Sequence, residues 1–227
     1  MDLDQEKQAA ARYSTRFVDD GHVVGLGTGS TAEYAIRCLA ERVESGLMIQ
    51  GIATSEHIAQ LAVQLGIPLT TLEQHQQIDV DIDGADEIDP QLNLIKGGGG
   101  AFLREKIVAS AAKKLVIVAD SSKQVAVLGK AAVPVEVVPF AQALIAKEIE
   151  RLGAKAGLRL STQGNPFVTD EGHHILDCHF GEIVDAAGLA RQLKEIPGVV
   201  EHGLFIHMAD VVLIGQGGQV LELKRSI

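Results

Sequence analysis

Short apolar runs alternate with helical patterns through the first half of the chain, and this alternation constrains the fold more than any other feature. The runs at 22–26, 49–53, 78–83 and 115–119 have the apolar or alternating composition of β-strands. Strands that alternate with helices favour βαβ units, whose crossovers build parallel sheets. The first half therefore predicts an α/β domain with a mostly parallel sheet.

The second half follows a different order. It is interpreted as a strand over 133–138, a helix that ends at about 152, a hairpin over 167–180, a helix over 186–196 and a strand over 199–206. This order predicts a small split βαβ domain, and the last apolar runs are expected to return to the first sheet. We therefore predict one domain of residues 1–129 plus 206–227 and a small α/β domain of residues 130–205.

Composition argues against several classes of function. The chain has 20 basic and 30 acidic residues, a formal charge of −10, which disfavours nucleic acid and anionic membranes as partners. The N-terminal segment has no signal-type apolar stretch, and no run approaches the roughly 20 apolar residues that span a bilayer. Two cysteines, Cys38 and Cys178, do not make a disulfide framework. We therefore expect a cytoplasmic protein.

Polar or glycine-rich segments follow four predicted strands, three of those above and the run Leu92–Ile95. They are GLGTGST at 25–31, DGAD at 83–86, KGGGG at 96–100 and DSSK at 120–123. Ligands of open parallel sheets bind beyond the carboxyl ends of the strands. We therefore expect all four segments at one edge of the sheet, as a single binding site.

The loop at 25–31 precedes a predicted helix and has the features of an anion site. Glycines such as Gly29 allow close approach of the backbone, and free N–H groups at a helix N-terminus favour negative charge. Thr28, Ser30 and Thr31 add hydroxyl donors. A tight turn with Ser/Thr capping is the alternative. A dinucleotide site is disfavoured, because the spacing is G-x-G-x-x-S and no acidic residue clearly ends a second strand.

Carboxylates are concentrated at 81–89, where the acidic residues are Asp81, Asp83, Asp86, Glu87 and Asp89. We expect Asp83 and Asp86, at the strand end, to meet a sugar, and the other three to be solvated turn residues. A Mg²⁺ or Ca²⁺ site is the competing interpretation. Because the spacing does not match the D-x-D-x-D-G loop, no metal site is predicted here.

The run KGGGG needs a structural or functional reason. Each glycine costs about 1 kcal/mol in a regular element, so four in succession are expensive. A nest of backbone N–H groups around an oxyanion is one reason, and Lys96 would add a positive charge beside it. A flexible connector is the alternative.

Glu105 is the most informative single residue. On the predicted helix from Ala101, its neighbours three and four residues away are all apolar: Ala101, Phe102, Val108 and Ala109. The carboxylate should therefore be buried, and burial raises a carboxylate pKa towards the range where the group can both take and give a proton. A surface pairing with Arg104, Lys106 or Lys113 is the alternative.

Two further features are ambiguous. Lys123 ends the DSSK loop and could grip a phosphate or only solvate a turn. The stretch from His173 to His179 contains potential metal ligands. On a strand, however, its polar side chains would point to opposite faces, so a partly solvated hairpin is expected there.

The motifs GLGTGSTA, DGADEID, IKGGGGAFLREKIVA, ADSSK, VPVEV and PGVVEHGLF occur in this order. From about Lys7 to Ile214 the chain closely resembles the A-type ribose-5-phosphate isomerases. That resemblance implies a Rossmann-like, mostly parallel sheet domain with a second, smaller ferredoxin-like α+β domain. It also implies a homodimer or tetramer, and no metal or other cofactor. The chain departs from the family pattern in two minor ways: it has an extra glycine after KGGG, and Val133 stands where leucine is common.

The resemblance further implies roles for single residues. Glu105 matches the glutamate base, Lys96 the lysine of the KGGG motif, and Asp83 is the candidate for opening the sugar ring. The implied substrate-binding residues are Thr28, Gly29, Ser30, Thr31, Asp83, Gly84, Ala85, Asp86, Lys96, Gly97, Gly98, Gly99 and Lys123. Lys7 matches an N-terminal lysine of the family less securely.

The implied activity is the interconversion of D-ribose 5-phosphate and D-ribulose 5-phosphate through an enediolate, in the non-oxidative branch of the pentose phosphate pathway. A non-catalytic sugar-phosphate sensor is the first alternative. Regulators with a sensor of this kind carry a DNA-binding segment, and this acidic chain has no spare residues for one. Another enzyme on a similar fold, an amino-sugar-phosphate isomerase or a sugar lactonase, is the second.

Overall fold

A computed structural model describes residues 2–225 of the chain. Its α-helices are α1 (Leu3–Ser14), α2 (Ser30–Glu44), α3 (Glu56–Gln64), α4 (Phe102–Ala111), α5 (Gln142–Arg151) and α6 (Ala186–Lys194). Its strands are β1 (Val23–Leu26), β2 (Gln50–Ala53), β3 (Val80–Asp83), β4 (Glu87–Ile88), β5 (Leu94–Ile95), β6 (Leu115–Asp120), β7 (Val133–Val137), β8 (Lys155–Leu158), β9 (His174–His179), β10 (Val199–His202), β11 (Leu204–Phe205), β12 (Val211–Gln216) and β13 (Gln219–Lys224).

The chain folds into two compact units. The first contains the described residues up to Ala85, Arg104–Lys123 and those from Met208 onward, and the second contains Asp86–Leu103 and Gln124–His207. This division differs from the predicted domain boundaries chiefly over Asp86–Leu103. The reason is strand pairing: β5, from this segment, forms an antiparallel ladder with β11 near the end of the second unit.

The first unit is built on a six-stranded sheet in the order β13-β12-β6-β3-β1-β2. All neighbouring pairs are parallel except β12 and β13. Strands β1, β3 and β6 are buried along their whole length, as expected for a parallel sheet covered on both faces. The predicted parallel sheet and the return of the last strands to it are both confirmed.

Two helices of the first unit, α1 and α3, begin at capping side chains. Ser55 accepts a hydrogen bond from the N–H of Ile58 and so caps α3. Asp2 caps α1 in the same way. Apolar side chains of α1, α2 and α3 pack with those of the sheet into one core that includes Leu26 and Leu39. Among residues 2–225, no helix combines the length and apolar character needed to cross a bilayer.

The second unit contains a four-stranded antiparallel sheet in the order β10-β7-β9-β8. Along the chain its elements follow the order β7-α5-β8-β9-α6-β10, which is the ferredoxin-like arrangement. Ile145 and Ile149 of α5 and Leu193 of α6 are buried in its core. The predicted small α+β domain is therefore confirmed in its topology.

Two details of the second unit differ from the sequence prediction. Strand β8 was not predicted, because Lys155–Leu158 has only partly buried side chains and contains a glycine. The predicted strand over 199–206 divides at Gly203 into β10 and β11, which belong to different sheets. A Cβ on Gly203 would lie 2.1 Å from the carbonyl oxygen of Lys96, so glycine permits this close approach of two backbones.

Candidate active site

The glycine-rich loop of the first unit joins β1 to α2. A Cβ on Gly27 would lie 2.5 Å from the Cα of Asp83, so glycine is required for β1 and β3 to approach each other there. Gly29 has a φ of +119° at the N-cap of α2, a region that favours glycine. The loop therefore delivers Ser30 and Thr31 to the N-terminus of a helix of 15 residues, where the helix dipole favours an anion.

The hydroxyl groups of this loop have different partners. The Thr28 hydroxyl lies 2.7 Å from that of Thr54 and donates to Ser55 at 3.0 Å, which fixes the loop to the end of β2. Ser30 accepts a hydrogen bond from the Lys7 ammonium at 3.1 Å. The structure thus brings Lys7, the residue that the sequence matched least securely, to the same loop.

Asp83 lies at the carboxyl end of β3 and is 1 % exposed. Its Oδ1 accepts a hydrogen bond from the N–H of Gly84 at 2.7 Å. The carboxylate is therefore held by the backbone that follows it, next to the loop at Gly27. A buried carboxylate in this position can exchange a proton with a sugar hydroxyl without competition from bulk water.

The expectation that the other carboxylates are solvated is wrong, because Asp81, Glu87 and Asp89 are all buried. Glu87 accepts hydrogen bonds from the N–H groups of Gly129, at 2.8 Å, and of Ala131. Asp89 accepts from the backbone and side chain of Asn93. These two carboxylates satisfy loop N–H groups, so their role is structural.

Glu105 lies in the first turn of α4 and is 3 % exposed. Its neighbours Phe102, Val108 and Ala109 are buried as well, so the burial predicted from the helical pattern is confirmed. Val108, one turn further along, packs against β1, where a Cβ on Gly25 would lie 2.7 Å from its Cγ1. α4 thus lies directly against the parallel sheet, and Glu105 belongs to its inner face.

Lys123 ends a short 3₁₀ turn, Ser121–Lys123, that follows β6. Glu6 of α1 secures this turn by accepting from the Ser121 hydroxyl at 2.6 Å and from its N–H at 3.1 Å. The hydrogen bond from the Ser121 hydroxyl is the main reason why the pKa of Glu6 lies below its ordinary value. Consecutive residues of α1, Glu6 and Lys7, therefore contact two of the predicted binding loops.

In the second unit, β5 leads directly into Lys96 and the glycine run. Lys96 is 2 % exposed, and its ammonium lies 5.4 Å from the centroid of the Phe205 ring. Gly97 has a φ of +111°, and a Cβ there would lie 2.5 Å from Phe102 and 2.7 Å from Pro134. Gly97 is therefore tightly packed, which argues against a flexible connector at this position.

Part of the predicted nest of N–H groups is already used by the protein. The N–H of Gly98 donates to Oδ2 of Asp86 at 2.8 Å, and the N–H of Gly100 donates to the carbonyl of Gly97 at 3.0 Å. Within the described part of the chain, this leaves the N–H groups of Gly97 and Gly99 for a ligand. Asp86 is held by the same contact that orients Gly98.

The histidine-rich stretch is explained by local hydrogen bonds. His173 lies 2.9 Å from the buried carboxylate of Glu136, and His174 lies 2.7 Å from the side-chain oxygen of Gln142. Burial raises the pKa of Glu136 above its ordinary value, and the hydrogen bonds from His173 and Thr169 partly offset this. Residues 2–225 contain no group of three or more His, Cys, Asp or Glu side chains that could hold a metal ion.

Two polar residues of the second unit were missed by the sequence analysis as contributors to the site. Arg159 follows β8 and donates to the carbonyl oxygens of Gly97 and Gly98, at 2.9 and 3.2 Å. Asp177 of β9 forms an ion pair with Arg159. The strand that precedes Arg159 has no clear sequence signal, so its register against β9 could not be inferred.

The predicted site residues are distributed over both units. The first unit carries Thr28, Gly29, Ser30, Thr31, Asp83, Gly84, Ala85, Glu105 and Lys123, and the second carries Asp86, Lys96, Gly97, Gly98 and Gly99. In the first unit alone, an anion-type loop occurs together with a buried strand-end carboxylate and a buried glutamate. This combination defines an α/β protein that handles an anionic small molecule.

Comparison with known proteins identifies the family. The family model of ribose 5-phosphate isomerase A (phosphoriboisomerase A) matches residues 50–219. A ribose-5-phosphate isomerase A from Synechococcus sp. (strain JA-3-3Ab) is 52 % identical over 98 % of this chain and 98 % of its own. One from Nitrobacter hamburgensis is 50 % identical over 99 % of this chain and 100 % of its own. The chain therefore belongs to the ribose 5-phosphate isomerase A family.

Solved structures agree with this assignment. A D-ribose-5-phosphate isomerase in complex with phospho-erythronic acid superimposes with a TM-score of 0.97, at 41 % identity over 99 % of this chain and 100 % of that chain. The ribose 5-phosphate isomerase of Plasmodium falciparum gives a TM-score of 0.95 at 39 % identity, over 99 % of this chain and 100 % of its own. The fold described above is thus the fold of the family.

Proposed function

We propose that this chain is an aldose–ketose isomerase that interconverts D-ribose 5-phosphate and D-ribulose 5-phosphate, with Glu105 as the base. Similarity over almost the whole length of the relatives supports the reaction. The observation that carries the assignment of the base is the burial of Glu105 at the start of α4. The sequence alternatives, a non-catalytic sensor and an enzyme with another substrate, have no comparable support.

The chemistry requires one group that carries a proton between two carbons. Glu105 takes the proton from C2 of the open-chain aldose, which leaves an enediolate and a neutral carboxylic acid. The same acid then gives the proton to C1, while the hydroxyl proton passes from O2 to O1. A single carboxylate suits both steps, because it accepts a proton as a carboxylate and donates it again as a carboxylic acid.

The enediolate needs positive charge and N–H donors at its oxygens. Lys96, almost fully buried, supplies charge that water does not screen. The N–H groups of Gly97 and Gly99 supply directed donors of the kind found in oxyanion holes. Each such donor is typically worth about 10²–10³-fold in turnover.

The remaining residues bind the substrate and open its ring. The phosphate is bound by the Thr28–Thr31 loop and Lys123, together with Lys7, which donates to the Ser30 hydroxyl. Binding of the phosphate, away from the reacting carbons, orients those carbons. Asp83 exchanges a proton with the ring oxygen or the C1 hydroxyl as the ring opens. Asp86, fixed by Gly98, holds a sugar hydroxyl.

We also propose that the enzyme works without a metal ion, as a homodimer or tetramer in the cytoplasm. Clusters suited to metal ions do not occur in residues 2–225, and the proposed chemistry assigns all charge stabilisation to Lys96 and the backbone. Light scattering on the purified protein measures the number of subunits. A monomeric mass would contradict the proposed assembly without affecting the proposed reaction.

The test of function is turnover of ribose 5-phosphate by EDTA-treated protein, followed as formation of the ketopentose phosphate. We expect wild-type turnover without metal, and a loss of about 10²–10⁴-fold in kcat for Glu105→Gln with little change in KM. Ser110→Ala, an exposed position on the same helix, is the matched control and should retain wild-type activity.

Three results would contradict this proposal. A Glu105→Gln variant within a few-fold of wild type would exclude Glu105 as the base. A wild-type protein that does not turn over the sugar, yet binds phospho-erythronic acid in a calorimeter, would support the sensor alternative instead. Absence of both turnover and binding would point to a different phosphorylated substrate.

A further inference from the structure

The glycine run of the second unit is held from outside by one arginine. Arg159 donates from Nη1 to the carbonyl oxygen of Gly97 at 2.9 Å and to that of Gly98 at 3.2 Å. These contacts join residues more than 60 positions apart in the sequence. Glycine backbones have the largest conformational freedom of any residue, so a run of this kind needs such contacts to keep one conformation.

Arg159 is itself fixed in position. Its Nε and Nη2 atoms donate to the two carboxylate oxygens of Asp177, at 3.0 and 2.5 Å. The paired geometry orients the planar guanidinium in a way that a lysine could not. The arginine side chain is 14 % exposed, and its guanidinium carbon lies 5.9 Å from the centroid of the Phe167 ring. The ring of Phe167 also packs against Gly100.

The contact with Gly98 determines where the next N–H group points. In a trans peptide the carbonyl and the N–H point in opposite directions, so a carbonyl of Gly98 turned towards Arg159 turns the N–H of Gly99 away from it. Gly98 and Gly99 are exposed, so this N–H is accessible to a ligand. The positive charge of Arg159 also polarises the peptide and strengthens its N–H as a donor.

The peptide between Gly97 and Gly98 is held at both of its ends. Arg159 binds its carbonyl, and Asp86 accepts from its N–H at 2.8 Å. The same arginine therefore fixes the partner of Asp86, the carboxylate to which we assign a sugar hydroxyl. Movement of this peptide would displace both the Gly99 donor and Asp86.

From these contacts we propose that Arg159, oriented by Asp177, is a positioning residue for the isomerisation. It sets the Gly97 and Gly98 peptides so that the Gly99 N–H donates to the enediolate oxygen and Asp86 is held for the sugar. This inference rests on the proposed function of the glycine run. Four of the five N–H donors of Arg159 are occupied by the two carbonyls and by Asp177, so we assign it no contact with the reacting atoms.

The test compares Arg159→Lys with wild type in kcat, KM and urea midpoint. Lysine keeps the positive charge but cannot bridge two carbonyls and a carboxylate at once. We expect kcat to fall about 10²-fold, the size expected for a small displacement of catalytic groups, while KM and the urea midpoint change little. Arg151→Ala, which breaks an exposed arginine–glutamate pair on α5, is the matched control and should behave as wild type.

A second comparison separates positioning from folding. If Asp177 acts through Arg159, Asp177→Asn should lower kcat, and the double variant with Arg159→Lys should be no slower than Arg159→Lys alone. Full additivity of the two effects would overturn the proposal. A wild-type kcat in Arg159→Lys would also overturn the proposal. So would a fall in kcat that is accompanied by a large fall in the urea midpoint. An inactive wild type would instead refute the proposed function.

Discussion

The two glycine-rich segments of the predicted site are constructed differently. The loop around Gly29 is shaped locally: it leaves β1, enters α2 at once, and is fixed by hydroxyl groups at the end of β2. The run from Gly97 is shaped from a distance, by Arg159 and Asp86 and by the aromatic rings and the one proline, Pro134, packed on it. The donors of the first segment come from the helix that it enters directly, whereas the conformation of the second depends on residues far along the chain.

This difference explains which segment could be understood from the sequence. A strand, a glycine-rich turn and a helix suffice to predict an anion site, because the helix N-terminus supplies the donors. A run of glycines is compatible with a nest of N–H groups and with a flexible connector, because its geometry depends on residues far along the chain. The difference also suits the proposed roles: binding a phosphate tolerates small displacements, whereas stabilising an enediolate does not.

The largest expected effect comes from adding one methyl group to each segment. Gly97 and Gly29 both have a φ near +115°, at +111° and +119°, so alanine is strained at either position by about 1–3 kcal/mol. At Gly97 the new Cβ also collides with Phe102 and Pro134, whereas nothing lies within 4 Å at Gly29. We expect Gly97→Ala to lose about 1–3 kcal/mol more in free energy of unfolding, and about 10²-fold in kcat.

Urea titrations and steady-state kinetics on both alanine variants measure these quantities. Equal losses in stability would show that Gly97 is not confined by its neighbours. A larger loss of kcat in Gly29→Ala than in Gly97→Ala would reverse the assigned roles of the two segments.

A smaller effect is expected at the hydroxyl groups of the first loop. A hydrogen bond to a charged group contributes about 1.5–3 kcal/mol, which corresponds to about 10–100-fold in binding. Ser30→Ala should therefore raise KM for ribose 5-phosphate about 10-fold and weaken inhibition by inorganic phosphate by the same factor, with kcat nearly unchanged. A variant with normal KM but reduced kcat would place Ser30 at the reacting carbons instead of the phosphate.

How much the sequence predicts depends on how local the determining contacts are. The parallel sheet, the cap at Ser55 and the burial of Glu105 were all predictable, because each follows from the period or the immediate neighbours of the residues involved. Strand β8 was missed since its side chains are half-exposed. Arg159 could not be identified without β8, because its partners at Gly97 and Asp177 depend on the register of that strand.

The acidic cluster shows the same limit in another form. Asp83 and Glu87 are four residues apart, chemically alike and both buried, yet Glu87 accepts hydrogen bonds from the distant N–H groups of Gly129 and Ala131. Those partners lie more than 40 positions away. Composition alone suggested a solvated turn, and only the tertiary contacts show that these carboxylates organise loops.

The smallest expected effect concerns Glu6, which holds the turn that carries Lys123. Its pKa is lowered, first by the hydrogen bond from the Ser121 hydroxyl, from an ordinary value of 4.5. A carboxylate with a lowered folded-state pKa stabilises the protein above its unfolded-state pKa, and this contribution is lost as the pH falls through the folded-state value. Glu6→Gln should therefore lower the urea midpoint at pH 7, with a difference from wild type that narrows below about pH 4.5. A constant difference over this range would show that the Glu6 charge is not involved.

The most direct test of the central claim is exchange of the substrate protons with solvent. Incubated with ribose 5-phosphate in D₂O, wild-type protein should incorporate deuterium at C1 of the ketose, detected by NMR, because the protonated Glu105 exchanges with solvent while the enediolate is bound. Glu105→Gln should incorporate none above the protein-free control over the same time. Incorporation by Glu105→Gln at the wild-type rate would show that another residue moves the proton.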